Sequence, residues 1–250
     1  MMSDGQGARL MALALRQGAD RSGGSGGGKG EPQRRRWNGG APSSGVPMFN
    51  LTPAVLWLAV ANLAVHLARA LLSADADAEL VWNFGLVAAR LTGSLPWGAT
   101  DPLPVVSYMF LHGGLDHLGL NMLALLAFGV GVERRIGTAR FLLFYLICGV
   151  AGGAAHLVAF PAAQGPLIGA SGALAGCFAG ALRLVLGGGA GSLAGLRQVG
   201  LVAVIWLGSQ VLFGVIGGGG LGIEDAIAWW SHIGGFLVGL AIVGLFVPRR

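Results

Sequence analysis

The sequence predicts an all-α fold, a polytopic bundle of six membrane-spanning helices with a long first outer loop. Three observations carry this reading. The 250 residues are 54% hydrophobic and only 11% charged, and the mean hydropathy is +0.70, too apolar and charge-poor for an ordinary soluble domain. Several windows of about 20 apolar residues are long enough to cross a ~30 Å hydrocarbon core. The runs are also unbroken, whereas a membrane β-barrel alternates polar and apolar residues in strands of about 10.

Residues 1–48 differ from the rest. The stretch "RSGGSGGGKGEPQRRRWNGGAPSSG" has almost nothing to bury and reads as a disordered, Gly/Ser/Arg-rich cytoplasmic tail. Its "RLMALALRQ" segment is too short and too charged for a signal peptide. Residues 49–250 form the membrane domain. Its candidate spans are 51–72, about 112–132, 141–160, about 170–186, 199–216 and 226–247. Pro53 suits the first turn of the first helix. The fourth span is the shortest, and Arg183 near its end can snorkel. Between the first two spans, residues 73–111 form a long connection. Its amphipathic stretch "LVWNFGLVAARL", with Trp82 and Phe84, precedes Pro96, Trp97, Pro102 and Pro104. It is expected as a loop lying partly in the membrane interface.

The charges orient the bundle. Arg34, Arg35, Arg36, Arg134, Arg135, Arg140, Arg183, Arg197, Arg249 and Arg250 fall at one end of it. Asp75, Asp77, Glu79, Asp101, Glu224 and Asp225 fall at the other, opposed only by Arg90. By the positive-inside rule both termini are cytoplasmic. The same asymmetry accounts for the net charge of +5. The arginines make no continuous basic face, which argues against nucleic acid as a partner. Cys148 and Cys177 lie within apolar runs with no CxxC spacing and read as small buried hydrophobes.

Polar side chains inside such spans are costly and usually functional. The second span carries His112, Asp116, His117 and Asn121, the fourth Ser171 and the sixth His232. Asn62, His66 and His156 lie in the first and third. At 1.5 Å per residue, His117, Asn121, Ser171 and His232 fall roughly 2–14 Å below the outer surface. His117 and Asn121, spaced i and i+4, share a helix face. Gly172, Gly176 and Gly180 form a stripe beside Ser171, Ala175 and Ala179, and Gly235 and Gly239 share the face of His232. Small-xxx-small faces let membrane helices approach closely. A serine and a histidine brought together that way have the geometry of a nucleophile and its base. Each feature alone has a plainer explanation: a back-bonded serine, an interhelical hydrogen bond, a packing stripe. Their coincidence at one depth points to a hydrolytic site. No H-E-x-x-H is present. His112, His117, His156 and His232 have no carboxylate at ligand-like spacing, so neither a metal nor a cofactor is expected.

The segments "GASGA" (169–173), "HGGLDHLGLNM" (112–122), "ERRIG" (133–137) and "HIGGFLVG" (232–239) resemble those of the rhomboid intramembrane serine proteases in order, helix and spacing. The resemblance covers about residues 51–247. It implies a Ser–His dyad with Ser171 as nucleophile and His232 as general base. His117 and Asn121, with the backbone N–H of Ser171, match the positions that stabilise the oxyanion. Gly169 would permit the close turn before the nucleophile and Gly172 give it room. His112, Glu133 and Gly137 match structural positions, and Gly235 and Gly239 belong to the matching final helix. Two places depart from the family pattern. Leu103-Pro104 stand where many members have Trp-Arg, and Ala175 where some have a tyrosine that packs on the histidine, so another group must position His232.

The glycine-rich stretch "GVIGGGGLGIEDA" (214–226) resembles the family's flap, and the fifth span, with Trp206 and Phe213, its lateral gate. Lipid-facing aromatics are the alternative for that pair. The implied activity is peptide-bond hydrolysis in or beside transmembrane segments of membrane-protein substrates, within the lipid bilayer. A bacterial inner membrane is expected, with the active site near the outer face. The alternative is a non-catalytic rhomboid-like protein that binds transmembrane helices; the presence of both Ser171 and His232 counts against it. A transporter would show half-to-half repeats with broken helices, and the sequence shows no convincing ones.

Overall fold

The computed structural model describes residues 51–186, 193–218 and 229–248. The expected tail at 1–48, and most of the glycine-rich stretch 214–226, lie outside these residues. Among the described residues every regular element is helical. The lone β-bridge, Leu86 to Leu167, joins two loop segments.

Helix α1 (Pro53–Arg69) begins with Pro53 in its first turn. A helix start leaves backbone N–H groups without intrahelical partners. Here a distant carboxylate takes them. The N–H groups of Ala54 and Val55 donate to Oε1 and Oε2 of Glu133, each at 3.0 Å. Thr138 Oγ1 donates to the same carboxylate at 2.8 Å. A negative charge also suits the positive end of the helix dipole. At the other end of α1, the Arg69 guanidinium grips Asp77 at 2.7 and 3.0 Å and donates to the His112 carbonyl at 2.7 Å.

The connection 73–111 is more regular than a plain loop. It contains α2 (Ala74–Phe84), α3 (Ala88–Leu91), α4 (Pro104–Ser107) and a 3-10 turn at Tyr108–Phe110. Ser73 caps α2 by accepting from the Ala76 N–H. The expected amphipathic stretch breaks at Gly85, where a Cβ would stand 2.6 Å from the Val81 carbonyl oxygen and 2.7 Å from Pro166. The chain there turns into the protein, and Leu86, Val87, Ala88, Ala89 and Arg90 are buried. Trp82 stays 41% exposed. Arg90, which opposes the acidic residues at this end, pairs with Asp101 at 3.2 Å and donates to the Trp82 carbonyl at 3.0 Å. An ion pair this buried ties the loop to one arrangement, because breaking it strands a charge.

Helices α5 (Leu115–Ala124) and α6 (Val130–Ile136) are joined by a π turn at Leu125–Gly129 into one apolar helix, Leu115–Ile136. A π turn inserts a residue into the α ladder, so the face carrying His117 and Asn121 is offset from the face carrying Glu133. Gly137 ends the helix with φ 85°, a conformation that suits glycine, and α7 (Thr138–Ala159) starts at once. Helices α8 (Ser171–Leu186), α9 (Leu193–Gly218) and α10 (Trp229–Phe246) complete the set. The second helix runs to Ile136 rather than 132, and α9 begins at Leu193 rather than 199. Both extend past the apolar windows because backbone hydrogen bonding continues through charged residues such as Glu133 and Arg197.

Among the described residues, four helices are long and apolar enough to cross a membrane: Leu115–Ile136, Thr138–Ala159, Ala194–Leu212 and Trp229–Phe246. Two shorter apolar helices accompany them, α1 with 17 residues and α8 with 16. The chain is an all-α, multi-pass integral membrane protein. Its outward faces are apolar, as lipid requires, with Trp57 71%, Val158 83% and Leu245 83% exposed.

Helices α7, α8 and α10 meet backbone to backbone. A Cβ on Gly235 would collide with the Gly172 carbonyl oxygen, and one on Gly239 would lie 2.5 Å from that of Gly176. On the third side, a Cβ at Gly152 would stand 2.8 Å from the Ser231 carbonyl oxygen. Arg183 turns its guanidinium to the carbonyls of Leu240 and Ala241, at 2.5 and 2.9 Å, rather than away from the bundle.

Two outcomes follow for stability in detergent. Gly235→Ala forces α8 and α10 apart and should lower the thermal midpoint, at a cost of about 1–3 kcal/mol. Gly208→Ala, which meets open space, should leave it unchanged or raise it; equal losses in both variants would refute the close-approach account. The Arg69 guanidinium holds the Asp77 carboxyl below its usual range. Its contribution is therefore present above the ordinary carboxylate value of about 4 and lost as the pH falls through the lowered one. Asp77→Asn should lower the midpoint slightly at neutral pH, with the gap closing in strong acid.

Candidate active site

Helix α8 begins at Ser171, and the four residues before it are held by the first loop. Leu86 and Leu167 exchange backbone hydrogen bonds at 3.0 and 2.9 Å. The Gly169 N–H donates to the Tyr108 carbonyl at 2.9 Å, and the Tyr108 hydroxyl donates to the Gly149 carbonyl of α7 at 2.8 Å. The Leu174 N–H then closes the first helical turn on Ala170 at 3.0 Å. The N–H groups of Ser171, Gly172 and Ala173 stand outside the helical ladder, at the positive end of the dipole.

Gly169 is required twice over. Its φ of 118° is unfavourable for any side chain, and a Cβ there would lie 2.8 Å from His117 Nε2. His117 Nδ1 accepts from the Gly113 N–H at 3.3 Å. A neutral imidazole accepting at Nδ1 carries its proton on Nε2, the nitrogen beside Gly169. One turn further along, Asn121 donates from Nδ2 to the His117 carbonyl at 2.8 Å.

His232, on α10, faces Ser171 directly. Its Nε2 lies 2.8 Å from Ser171 Oγ. Its Nδ1 lies 2.8 Å from Oε1 of Gln210 on α9. Ser171, His232, His117, Asn121 and Asp116 line one cleft of about 500 Å³, whose apolar wall includes Phe128, Leu174, Phe178 and Trp206.

The remaining sequence candidates lie around this cleft rather than in it. His112 is buried with its ring edge-on to His117, centroids 5.1 Å apart. Gly172, Gly235 and Gly239 form the helix contact behind Ser171 and His232. Glu133 and Gly137 belong to the opposite end of their helix, about 18 and about 24 Å from Asn121 at 1.5 Å per residue. Among the described residues no three of His, Cys, Asp and Glu form a group that could hold a metal. Trp206 stacks on Phe236, with centroids 4.4 Å apart, so it faces the bundle rather than lipid. The Phe213 side chain is outside what is described. Sequence reading passes over Gln210, although an amide in an apolar run is what singles out Asn121. It also passes over the Arg90–Asp101 pair, which has no local signal.

The sequence model of the Rhomboid domain matches residues 100–249. Rhomboid protease GluP of Bacillus subtilis is 46% identical over 76 residues, 30% of this chain and 14% of the relative. Rhomboid-type serine protease 2 of Emericella nidulans is 35% identical over 163 residues, 62% of this chain and 30% of the relative. Rhomboid protein 1, mitochondrial, of Saccharomyces cerevisiae is 37% identical over 86 residues, 32% of this chain and 25% of the relative. The chain thus spans less than a third of the length of each of these three relatives.

The double demand on Gly169 is testable. Gly169→Ala should slow reaction of Ser171 with a fluorophosphonate probe on the order of 10–100-fold, through backbone strain and displacement of His117. Gly113→Ala, whose Cβ meets only ordinary contacts at 3.8 Å, should label at nearly the parent rate.

Proposed function

The chain belongs to the rhomboid family, and from that premise we propose that it is an intramembrane serine endopeptidase whose catalytic dyad is Ser171 and His232. The observation that carries this reading is the 2.8 Å contact between Ser171 Oγ and His232 Nε2, at the wall of a cleft that also presents His117 and Asn121. That contact also weighs against a non-catalytic helix-binding protein.

Ser171 Oγ attacks the scissile carbonyl as His232 Nε2 takes the hydroxyl proton. The tetrahedral oxyanion is received by His117 Nε2–H, by the free Nδ2–H of Asn121 and by the unladdered N–H groups that open α8. Each such donor is worth roughly 10²–10³ in rate. Collapse expels the amine, which takes the proton back from Nε2 and leaves an acyl-serine. Water, deprotonated by His232, then releases the second product. The substrate segment must enter the cleft unwound, because a carbonyl held in a helix is already hydrogen-bonded along the helix axis. The four residues lie within about 10 Å of the starts of their helices, close enough to the membrane surface to be reached by water.

The substrates of this reading are membrane proteins cut in or beside a transmembrane segment. We count α1 and α8 as spans with the four longer helices, making six. The arginine-rich loops then share one side with both termini, which we read as cytoplasmic, and the site lies near the outer face of a bacterial inner membrane. The reading also keeps residues 1–48 as a tail separate from the membrane domain 49–250.

Purified protein in proteoliposomes should cleave a transmembrane reporter, and Ser171→Ala and His232→Ala should each reduce turnover on the order of 10³-fold or more. If both variants cut as fast as the parent, the dyad assignment is wrong.

A further inference from the structure

We propose that Gln210 is the positioning residue for His232, holding its imidazole in the tautomer and orientation that leave Nε2 free to take the proton of Ser171. This deepens the reading of Ser171 and His232 as a hydrolytic pair and rests on it.

The chemistry begins with the two ring nitrogens. A neutral imidazole carries one proton, and it serves as base toward Ser171 only when that proton is on Nδ1. Something must therefore accept from Nδ1. At 2.8 Å from that nitrogen stands Oε1 of Gln210, an atom that can only accept. With the amide in this orientation, Nδ1 is the donor and Nε2 presents its lone pair to Ser171 Oγ, also at 2.8 Å. Ala175, one turn after Ser171 and in the same cleft, has no side chain long enough to steer the ring.

The acceptor is neutral. A carboxylate in its place would bring a charge into a low-dielectric site, where desolvation rivals the gain from pairing. An amide supplies directionality without that cost.

The placement of Gln210 is set by helix register. Trp206 stacks on Phe236 with centroids 4.4 Å apart and planes at 18°. Four residues on in α9 is Gln210, and four residues back in α10 is His232. The two contacts are successive rungs between antiparallel helices, so the aromatic stack fixes the height at which the amide meets the ring. Phe236 is fully buried; Val199 and Ala203 are the buried α9 side chains in its cluster, and Val202, Trp206 and Leu207 pack against it partly buried. Elsewhere α9 shows much apolar surface, as at Leu201 (63%), Val204 (68%) and Ile205 (63%). The helix seated by this inner face brings the orienting amide to the base, so the alignment of His232 depends on α9 being in place.

The test uses full-length protein in proteoliposomes, with turnover of the transmembrane reporter and fluorophosphonate labelling of Ser171 as readouts. Gln210→Leu keeps the shape and removes the acceptor; its kcat should fall on the order of 10–100-fold with KM within about twofold, and labelling should slow in parallel. Gln210→Glu restores an acceptor and should recover most of the lost kcat. A packing role predicts the reverse order, with leucine tolerated and glutamate damaging. Gln210→Asn keeps the amide but is one methylene too short, and should lose kcat as leucine does; it decides the matter if Gln210→Leu proves unstable. Parental kcat in the leucine or asparagine variant, or a glutamate variant worse than leucine, would overturn the proposal. Ser171→Ala, run alongside, separates this from failure of the dyad itself, since its retained turnover would strike at the dyad and not at Gln210 alone.

Discussion

The structure depends on how closely α8 and α10 approach one another. Gly235 packs against the carbonyl of Gly172, and Gly239 against that of Gly176, with no room for a Cβ at either place. Ser171 immediately precedes the first of these contacts on α8, and His232 lies three residues before it on α10. The distance between the two backbones therefore sets the distance between the two side chains. In lipid there is no hydrophobic drive to bring helices together, so close packing and interhelical hydrogen bonds must do it. Many small dispersion contacts, possible only where side chains are absent, supply the attraction. Helix α7 joins the same contact through Gly152 and Ser231.

That contact fixes where Ser171 stands but not how the chain arrives there. The arrival is governed by the first loop, which pairs Leu86 with Leu167 and holds Gly169 on the Tyr108 carbonyl. The loop in turn is locked by the buried Arg90–Asp101 pair. At the other end of the second helix, Glu133 caps α1 and takes the Thr138 hydroxyl. The site is thus supported by directional polar interactions, buried or partly so, among helices whose outward faces carry much exposed hydrocarbon.

On the proposed reading, the cleft works with neutral groups. His117 holds a proton on Nε2 because the Gly113 N–H occupies its other nitrogen. Asn121 contributes an amide, Gln210 holds another against His232 Nδ1, and α8 contributes its own unladdered N–H groups. Only Asp116 brings a carboxylate to the lining. Neutral dipoles in fixed positions can meet a developing charge without the desolvation that a fixed charge would suffer in this medium.

Much of this was legible without coordinates. Hydropathy is a property of each residue and its neighbours, so the all-α membrane class and the approximate helices follow from the sequence alone. Helical periodicity and the 1.5 Å rise place His117, Asn121, Ser171 and His232 at one depth and assign their faces, and the structure gathers them at one cleft. The first loop was not legible in this way. Its inward fold depends on Leu86 meeting Leu167 and on Arg90 meeting Asp101, partners that no local pattern announces. Gln210 escaped for the same reason: an amide in an apolar helix is visible, but the ring it faces belongs to another helix. The sequence by itself determined what each segment is and where along its helix each polar atom lies, because those follow from short-range chemistry. Only the tertiary structure decided which of those atoms meet, because that is set by how closely separate helices pack and in what register.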